Sequence, residues 1–410
     1  MFVDLIVIGG GAAGFFAAIT CAEQSDKSVL ILEKTSQLLH KVSISGGGRC
    51  NVTHECFEPR ELTRNYPRGE KSLIGPFHRF GAADTVEWFE SRGVTLKSEA
   101  DGRMFPVTDD SQTIVDALLG AARAARVDIR TSDGVTSIVQ RDDGFDVVTE
   151  RGSSYTAAHV LIATGGTRFA AGAKLAAGLG HELQPATPSL FTFKVADPRI
   201  AGLQGLAVTP AAVSVEHSKL RSSGPVLITH WGLSGPGILK MSAWGARELA
   251  ARGYRFDISV NWLPDIDPEA VFAEKRRRDG KRQLAGRSPF DAIPKRLWER
   301  LLTAADISAT TTWSELSKAG AAQLVNQLTA ATFAVTGKST NKDEFVTCGG
   351  VALDEIDFRT MESKLVPGLY FAGEVVDVDG ITGGFNFQNA WTSGFHAGVD
   401  IAARPAPHPI

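Results

Sequence analysis

Residues 3–33, VDLIVIGGGAAGFFAAITCAEQSDKSVLILE, decide the fold. Val3–Ile8 is an apolar run of strand length, Gly9-Gly10-Gly11-Ala12-Ala13-Gly14 follows at once, and an alanine-rich helical stretch continues to about Glu23. The glycines are spaced G-x-G-x-x-G in the strand–turn–helix setting that gives this pattern its meaning. Gly9 lets the chain turn tightly, Gly11 lets backbone approach a pyrophosphate without a Cβ in the way, and Gly14 lets the helix sit close on the strand. The free N–H groups around Ala12 and Ala13, at the positive end of the helix, suit a phosphate. A second apolar run, Ser28–Leu32, ends in Glu33, nineteen positions after Gly14, with Lys34 beside it. An acid at that strand end accepts hydrogen bonds from an unphosphorylated ribose diol, which selects FAD or NAD over NADP.

The other end of the chain settles which dinucleotide. Residues 368–390, GLYFAGEVVDVDGITGGFNFQNA, read as a short strand, a Gly373-Glu374 turn, an acid at Asp377 placed to hold a ribitol chain, and a second glycine turn. That turn opens through Gly384, Phe385 and Asn386 into a helix running past Trp391 to about Ile401. Its positive end suits the edge of a flavin ring on which negative charge develops during reduction. One FAD gripped by both chain ends is the expected cofactor.

The region between the two signatures divides by pattern. Up to about residue 187 the chain reads as doubly wound α/β, with helices at Asp84–Ser91 and Gln112–Ala125. Short alternating strands lie near Val135–Gln140 and Phe145–Thr149, with a return strand at Val160–Ala163. Short β-type runs follow at Phe191–Val195, Val208–Val215 and Phe256–Val260, and 267–328 is charged and helical. The expected domains are therefore 1–187 plus 345–410 for the nucleotide, an inserted β-rich region of 188–264 plus 329–344, and a helical subdomain of 265–328. A net charge of −3 over 410 residues shows no general bias toward nucleic acid or membrane. Cys21, Cys50, Cys56 and Cys348 form no C-x-x-C pair, so neither a disulfide framework nor a metal site is expected. No stretch reaches membrane-span length, no basic leader precedes the first strand, and no stable protein partner is evident; a cytoplasmic enzyme is the expectation.

Four ordered blocks carry a family resemblance: Ser45-Gly46-Gly47-Gly48-Arg49-Cys50-Asn51, Ala163-Thr164-Gly165-Gly166, Thr229-His230-Trp231-Gly232-Leu233-Ser234-Gly235-Pro236, and the run from Cys348-Gly349-Gly350-Val351 through Met361-Glu362-Ser363-Lys364 to Asn386. On these the chain resembles the BaiN-type flavoproteins, also labelled YhiN-like or aminoacetone-oxidase-like, over almost its full length. The resemblance implies a Rossmann-like FAD domain assembled from both chain ends, with a β-rich and a helical region inserted. It also implies one of three activities: reduction of a conjugated C=C in a steroid-like enone, oxidation of a small amine by oxygen, or conversion of uridine to dihydrouridine in large-subunit ribosomal RNA. The first and last share one mechanism, hydride from flavin N5 to the electrophilic carbon and a proton to its neighbour, with NADPH or NADH docking transiently as reductant. A flavin-binding or sensing protein without turnover is the alternative from another class. The chain departs from the family at Thr167–Lys174, which is shorter than usual, and at Asn386-Phe387-Gln388, where Asn-Leu-Gln is commoner.

Arg49, Cys50 and His230 are the candidate catalytic groups: Arg49 to hold a carbonyl or anionic oxygen, Cys50 and His230 as proton donors. A lone cysteine is equally a small buried hydrophobe, and His230 equally a structural residue. Ser45, Gly46, Gly47, Arg49, Cys50 and Asn51 are expected to line the FAD cradle with Ala163, Thr164 and Gly165. Finally, Lys275-Arg276-Arg277-Arg278-Asp279-Gly280-Lys281-Arg282 is a basic run in a slightly acidic chain. It is either a solvated helix face or a contact for RNA phosphates.

Overall fold

The computed structural model describes residues 1–166, 171–339 and 346–405. Residues 167–170, where the departure from the family begins, the expected domain limit at 344/345 and the residues after 405 lie outside the described residues. Contacts divide the chain into two units, Met1–Thr187 with Val346–Ile410, and Pro188–Phe345.

In the first unit the strand Phe2–Ile8 is flanked on both sides by parallel neighbours: Leu5–Ile8 pair with Val29–Leu32, and Phe2–Ile8 with Thr156–Ile162. A strand covered on both faces reads as a continuous apolar run, as Leu5–Ile8 does after the half-buried Asp4. Leu369–Phe371 adds parallel to Val160–Ile162, which places the C-terminal signature in the same sheet as the N-terminal one. Asp128–Arg130 extends the opposite side in parallel. Antiparallel strands at 356–357 and 362–363 extend one edge, and the hairpin Val135–Arg141/Gly144–Thr149 pairs with Ser154–Ile162. A small antiparallel sheet of Thr53–His54, Arg103–Pro106 and Leu96–Ser98 has strands too short to leave a pattern in the sequence.

The helices Ala12–Gln24 and Phe385–Ala403 pack against each other along their lengths. Their backbones nearly touch: a Cβ on Gly394 would sit 2.6 Å from the Ala13 carbonyl oxygen, and one on Gly398 2.7 Å from that of Ala17. Phe16 fills the remaining space against Phe80, Trp88 and Trp391.

The second unit is a closed antiparallel barrel in the order 193–195, 232–234, 221–229, 207–215, 256–261, 331–338. Alternating burial along Phe256–Asn261 and Ala331–Lys338 turns one face of each strand inward. Helices Pro268–Asp279, Lys295–Ala304 and Lys318–Thr329 follow the barrel strand Phe256–Asn261. Trp298, Leu301, Trp313 and Leu324 from this helical region join Trp262, Val260 and Phe333 from the barrel region in one continuous core.

Candidate active site

Three glycines of the first turn have different reasons to be glycine. Gly9 has φ +115°, and a Cβ there would meet the Ala163 carbonyl oxygen at 2.5 Å; one on Gly14 would meet that of Gly9 at 2.1 Å. Both are demanded by the protein's own packing. A Cβ on Gly11 would meet nothing within 4 Å, so the chain's own packing does not require glycine there. The helix beginning at Ala12 has no side-chain cap and no acid in its first turn, leaving its N–H groups to an anion. Glu33 accepts from the Gly10 N–H at 2.8 Å through Oε2, and from the Thr35 N–H and hydroxyl through Oε1. Lys34 is exposed beside it. The Thr164 hydroxyl oxygen is buried without a hydrogen-bond partner, next to the Gly9 turn and followed by Gly165 at φ +76°. That hydroxyl faces Gly172, where a Cβ would stand 1.9 Å from it; the feature that fits the pyrophosphate of a nucleotide is the open Gly11 turn with the uncapped helix start behind it.

The second glycine segment begins as a helix at His40 and leaves helical geometry at Ser45; Gly46, Gly47, Gly48 and Cys50 all have positive φ. Gly47 and Gly48 again face open space, whereas a Cβ on Gly46 would press on Phe105 at 2.9 Å. Arg49 is committed within the protein: it donates to Glu99 at 2.6 Å and Asp109 at 3.4 Å and lies 4.0 Å from the centre of the Phe105 ring. Hydrogen bonds from Lys97, then Arg49, hold the Asp109 carboxyl below its usual range. Cys50 is fully buried, and burial pushes its thiol up to about 12 against a smaller opposing hydrogen bond with Ser45. The Ser45 hydroxyl donates to the Val42 carbonyl.

Asn51 joins the two ends of the chain. In the amide orientation that satisfies its neighbours, it donates to the Thr53 carbonyl at 3.0 Å and the Met104 carbonyl at 3.3 Å, and accepts from the Gly384 N–H at 2.9 Å. Gly384 itself has φ +91°, and a Cβ there would stand 2.5 Å from the Thr53 carbonyl oxygen. Asn386 closes the adjoining turn by exchanging two hydrogen bonds with Gly380. The Tyr66 hydroxyl donates to the Phe385 carbonyl, and Trp391 to that of Val52. Gly373 donates to Ser393 and approaches Ala13, where a Cβ would come within 3.0 Å of the alanine methyl. Asp377 is buried, and its N–H donates to the Val351 carbonyl.

Glu374 serves as a hub between protein segments. Its Oε2 accepts from Lys41 and its Oε1 from the Thr347 N–H at 2.7 Å. Arg68 pairs with the wholly buried carboxylate of Asp379. Lys41, Thr347, Arg68 and Tyr66 were outside the sequence reading, and no local pattern could have found them; Lys41 and Glu374 are 333 residues apart.

His230 belongs to the second unit, at the exposed tip of the turn between strands 221–229 and 232–234. The basic run lies on the helix Pro268–Asp279 and just beyond it. Lys275 pairs with Asp279, Arg278 with Glu274 and Arg282 with Asp279, while Arg276 donates to the carbonyls of Trp313 and Leu316. Arg276 is thus a structural tie, and several of the other charges are locally compensated. No helix among the described residues is long and apolar enough to cross a membrane.

The model of the family described as HI0933-like protein Rossmann domain matches residues 3–400. A ribosomal RNA dihydrouridine synthase of Escherichia coli (strain K12) is 32% identical over 98% of each chain. A 3-dehydro-bile acid delta(4,6)-reductase of Clostridium scindens is 30% identical over 97% of this chain and 99% of its own. Among solved structures, 3-ketosteroid-delta4-(5alpha)-dehydrogenase from Rhodococcus jostii superposes with a TM-score of 0.54 at 14% identity, covering 98% of this chain and 97% of its own. A flavocytochrome c3 fumarate reductase gives 0.52 at 17%, covering 98% and 78%. At these identities the structural matches speak for the fold.

Proposed function

The chain belongs to the HI0933-like Rossmann-domain family of FAD-dependent oxidoreductases, and from that premise we propose that it saturates a C=C conjugated to a ring carbonyl, with uracil in large-subunit ribosomal RNA as first substrate and a small cyclic enone as second. The observation that carries this reading is the chemistry shared by two full-length relatives, one named for making dihydrouridine and one for reducing a delta(4,6) bond of a 3-dehydro bile acid. In both names the reduced bond is conjugated to a carbonyl.

Gly9, Gly11, Ala12, Ala13 and Gly14 would hold the pyrophosphate of FAD, Glu33 and Lys34 its adenosine side, and Ala163, Thr164 and Gly165 the adjoining span. Ser45, Gly46, Gly47, Asn51, Gly373, Glu374, Asp377, Gly384, Phe385 and Asn386 would surround the remainder. Bound there, FAD supplies hydride chemistry, with NADPH or NADH as the reductant that recharges it. The protein's further task is a proton for the carbon next to the carbonyl. A general acid works best with a pKa near the operating pH. Cys50, buried and pushed up to about 12, is poorly suited, and Arg49 is occupied by two carboxylates. Both fit better as supports of the glycine segment, which leaves exposed His230 as the proposed donor. For RNA, Arg277, Arg278, Lys281 and Arg282 would supply phosphate contacts, with Arg276 retained for structure.

The test is to delete the gene in its host and map dihydrouridine along the large-subunit RNA. Purified protein, NADPH and the unmodified RNA are then combined. Loss in the deletion and restoration in the tube is the expected result, with His230→Gln slowing restoration about a hundredfold while the bound flavin is retained. An unchanged map turns the assignment to small enones, and failure to reduce either substrate class overturns ene reduction.

A further inference from the structure

We propose that Trp231 and Lys194 form a platform on the barrel for a flat conjugated carbonyl ring, the indole packing against the ring and the ammonium donating to its carbonyl oxygen. The choice of ligand rests on the ene-reductase reading above. The turn that carries Trp231 is tightly built. The Thr229 hydroxyl accepts from the Trp231 N–H and donates to the Gly232 carbonyl, both at 3.2 Å. The Trp231 carbonyl accepts from the Val195 N–H at 3.0 Å. Gly232 has φ +137°, and a Cβ there would strike the Phe193 oxygen and Val195 nitrogen at 2.4 Å.

These residues exist to fix the turn, and the two they hold outward have little structural work. His230 is exposed, and Trp231, at 56% exposure, has the Lys194 ammonium over its ring at 5.9 Å from the centre, the outer reach of a cation–π interaction. Lys194 stands between two glycines across the sheet, Gly232 and Gly337. Gly337 is required by neither conformation nor packing, since a Cβ there would meet only the Lys194 stem at 3.6 Å. The result is bare backbone beside a cation and an aromatic face, held on a rigid turn. A pyrimidine base and a ring enone share the recognised chemistry, a planar electron-poor system with a carbonyl oxygen at its edge.

The test measures binding to the oxidised holoenzyme without reductant, using a uridine-containing RNA stem-loop and a 4-en-3-one steroid as separate probes. Trp231→Ala is expected to raise Kd about tenfold or more for the probe that binds, in line with base–aromatic stacking, while Trp231→Phe stays near the parent. Lys194→Met raises Kd and Lys194→Arg restores it. Flavin absorbance and melting temperature stay at parental values in all four. Whichever probe responds identifies the source of the ring. Unchanged binding of both probes by Trp231→Ala, or binding of neither by the parent, overturns the platform. NADPH-driven reduction is read separately: lost binding in the variant with no reduced product from the parent keeps the platform and removes ene reduction.

Discussion

Both units of this protein bury large aromatic side chains, and the first adds a glycine seam between its first and last helices. Where the first and last helices meet, glycine and alanine bring backbones together, and Gly394 and Gly398 each leave room for a carbonyl oxygen rather than a side chain. In the barrel unit large side chains do the filling: Trp262, Trp298 and Phe333 are almost wholly buried, and Trp313 nearly so, in a shared core. A glycine contact has no rotamer with which to adapt, so an added methyl must move a helix. A side-chain core loses contacts locally when truncated and relaxes around the gap. The first unit thus has least room to adapt where the ends of the chain join.

Three substitutions and one titration separate these modes. Gly398→Val should have the largest effect, because its side chain meets Ala17, Thr20 and Cys21 of the facing helix; we expect little yellow soluble protein, and recovery of parental flavin content would break the comparison. Trp298→Ala should cost about 3–5 kcal/mol by chemical denaturation and also free the Leu284 carbonyl it now satisfies, yet purify with its flavin. Loss of flavin equal to that of Gly398→Val would mean the two cores are not separate determinants. Gly11→Ala should change stability by no more than about 0.5 kcal/mol, since its Cβ enters open space, while weakening FAD measurably in a fluorescence titration. Parental FAD affinity would remove the pyrophosphate from that position.

The smallest effect is on pH. Burial lowers the pKa of His159 and His396, both in the nucleotide unit. A histidine depressed in the folded state binds its proton more readily when unfolded. The stability it contributes is therefore complete above the ordinary value of about 6.5 and is lost as pH falls below it. Melting temperature should decline between neutral pH and mild acid, and His396→Gln should flatten that decline. An equal slope in the variant would assign the acid sensitivity elsewhere.

Features that depend on neighbouring residues in the chain could be read from the sequence. Val3–Glu33 specifies strand, turn and helix because glycine spacing and apolar runs act locally, and the C-terminal helix start at Phe385 follows from Gly383-Gly384 for the same reason. The family resemblance added the joining of both ends in one sheet, which Leu369–Phe371 beside Val160–Ile162 displays. What side chains are free to do was not readable. Arg49 looks like an oxygen-binding cation until Glu99 and Asp109 are placed beside it, fifty and sixty residues away. Cys50 looks like a proton donor until burial raises its thiol. Glu374 reads as part of a turn, and only the fold shows its two oxygens accepting from Lys41 and Thr347.

By itself, then, the sequence determined the backbone of the cradle, because φ freedom, helix capping and strand burial are set within a few residues. Only the tertiary structure decided which polar groups are already taken, as Arg49 and Glu374 are, and which stay exposed, as His230 does. Hydrogen bonding and desolvation depend on atoms within a few ångströms, and the fold draws those atoms from anywhere in the chain.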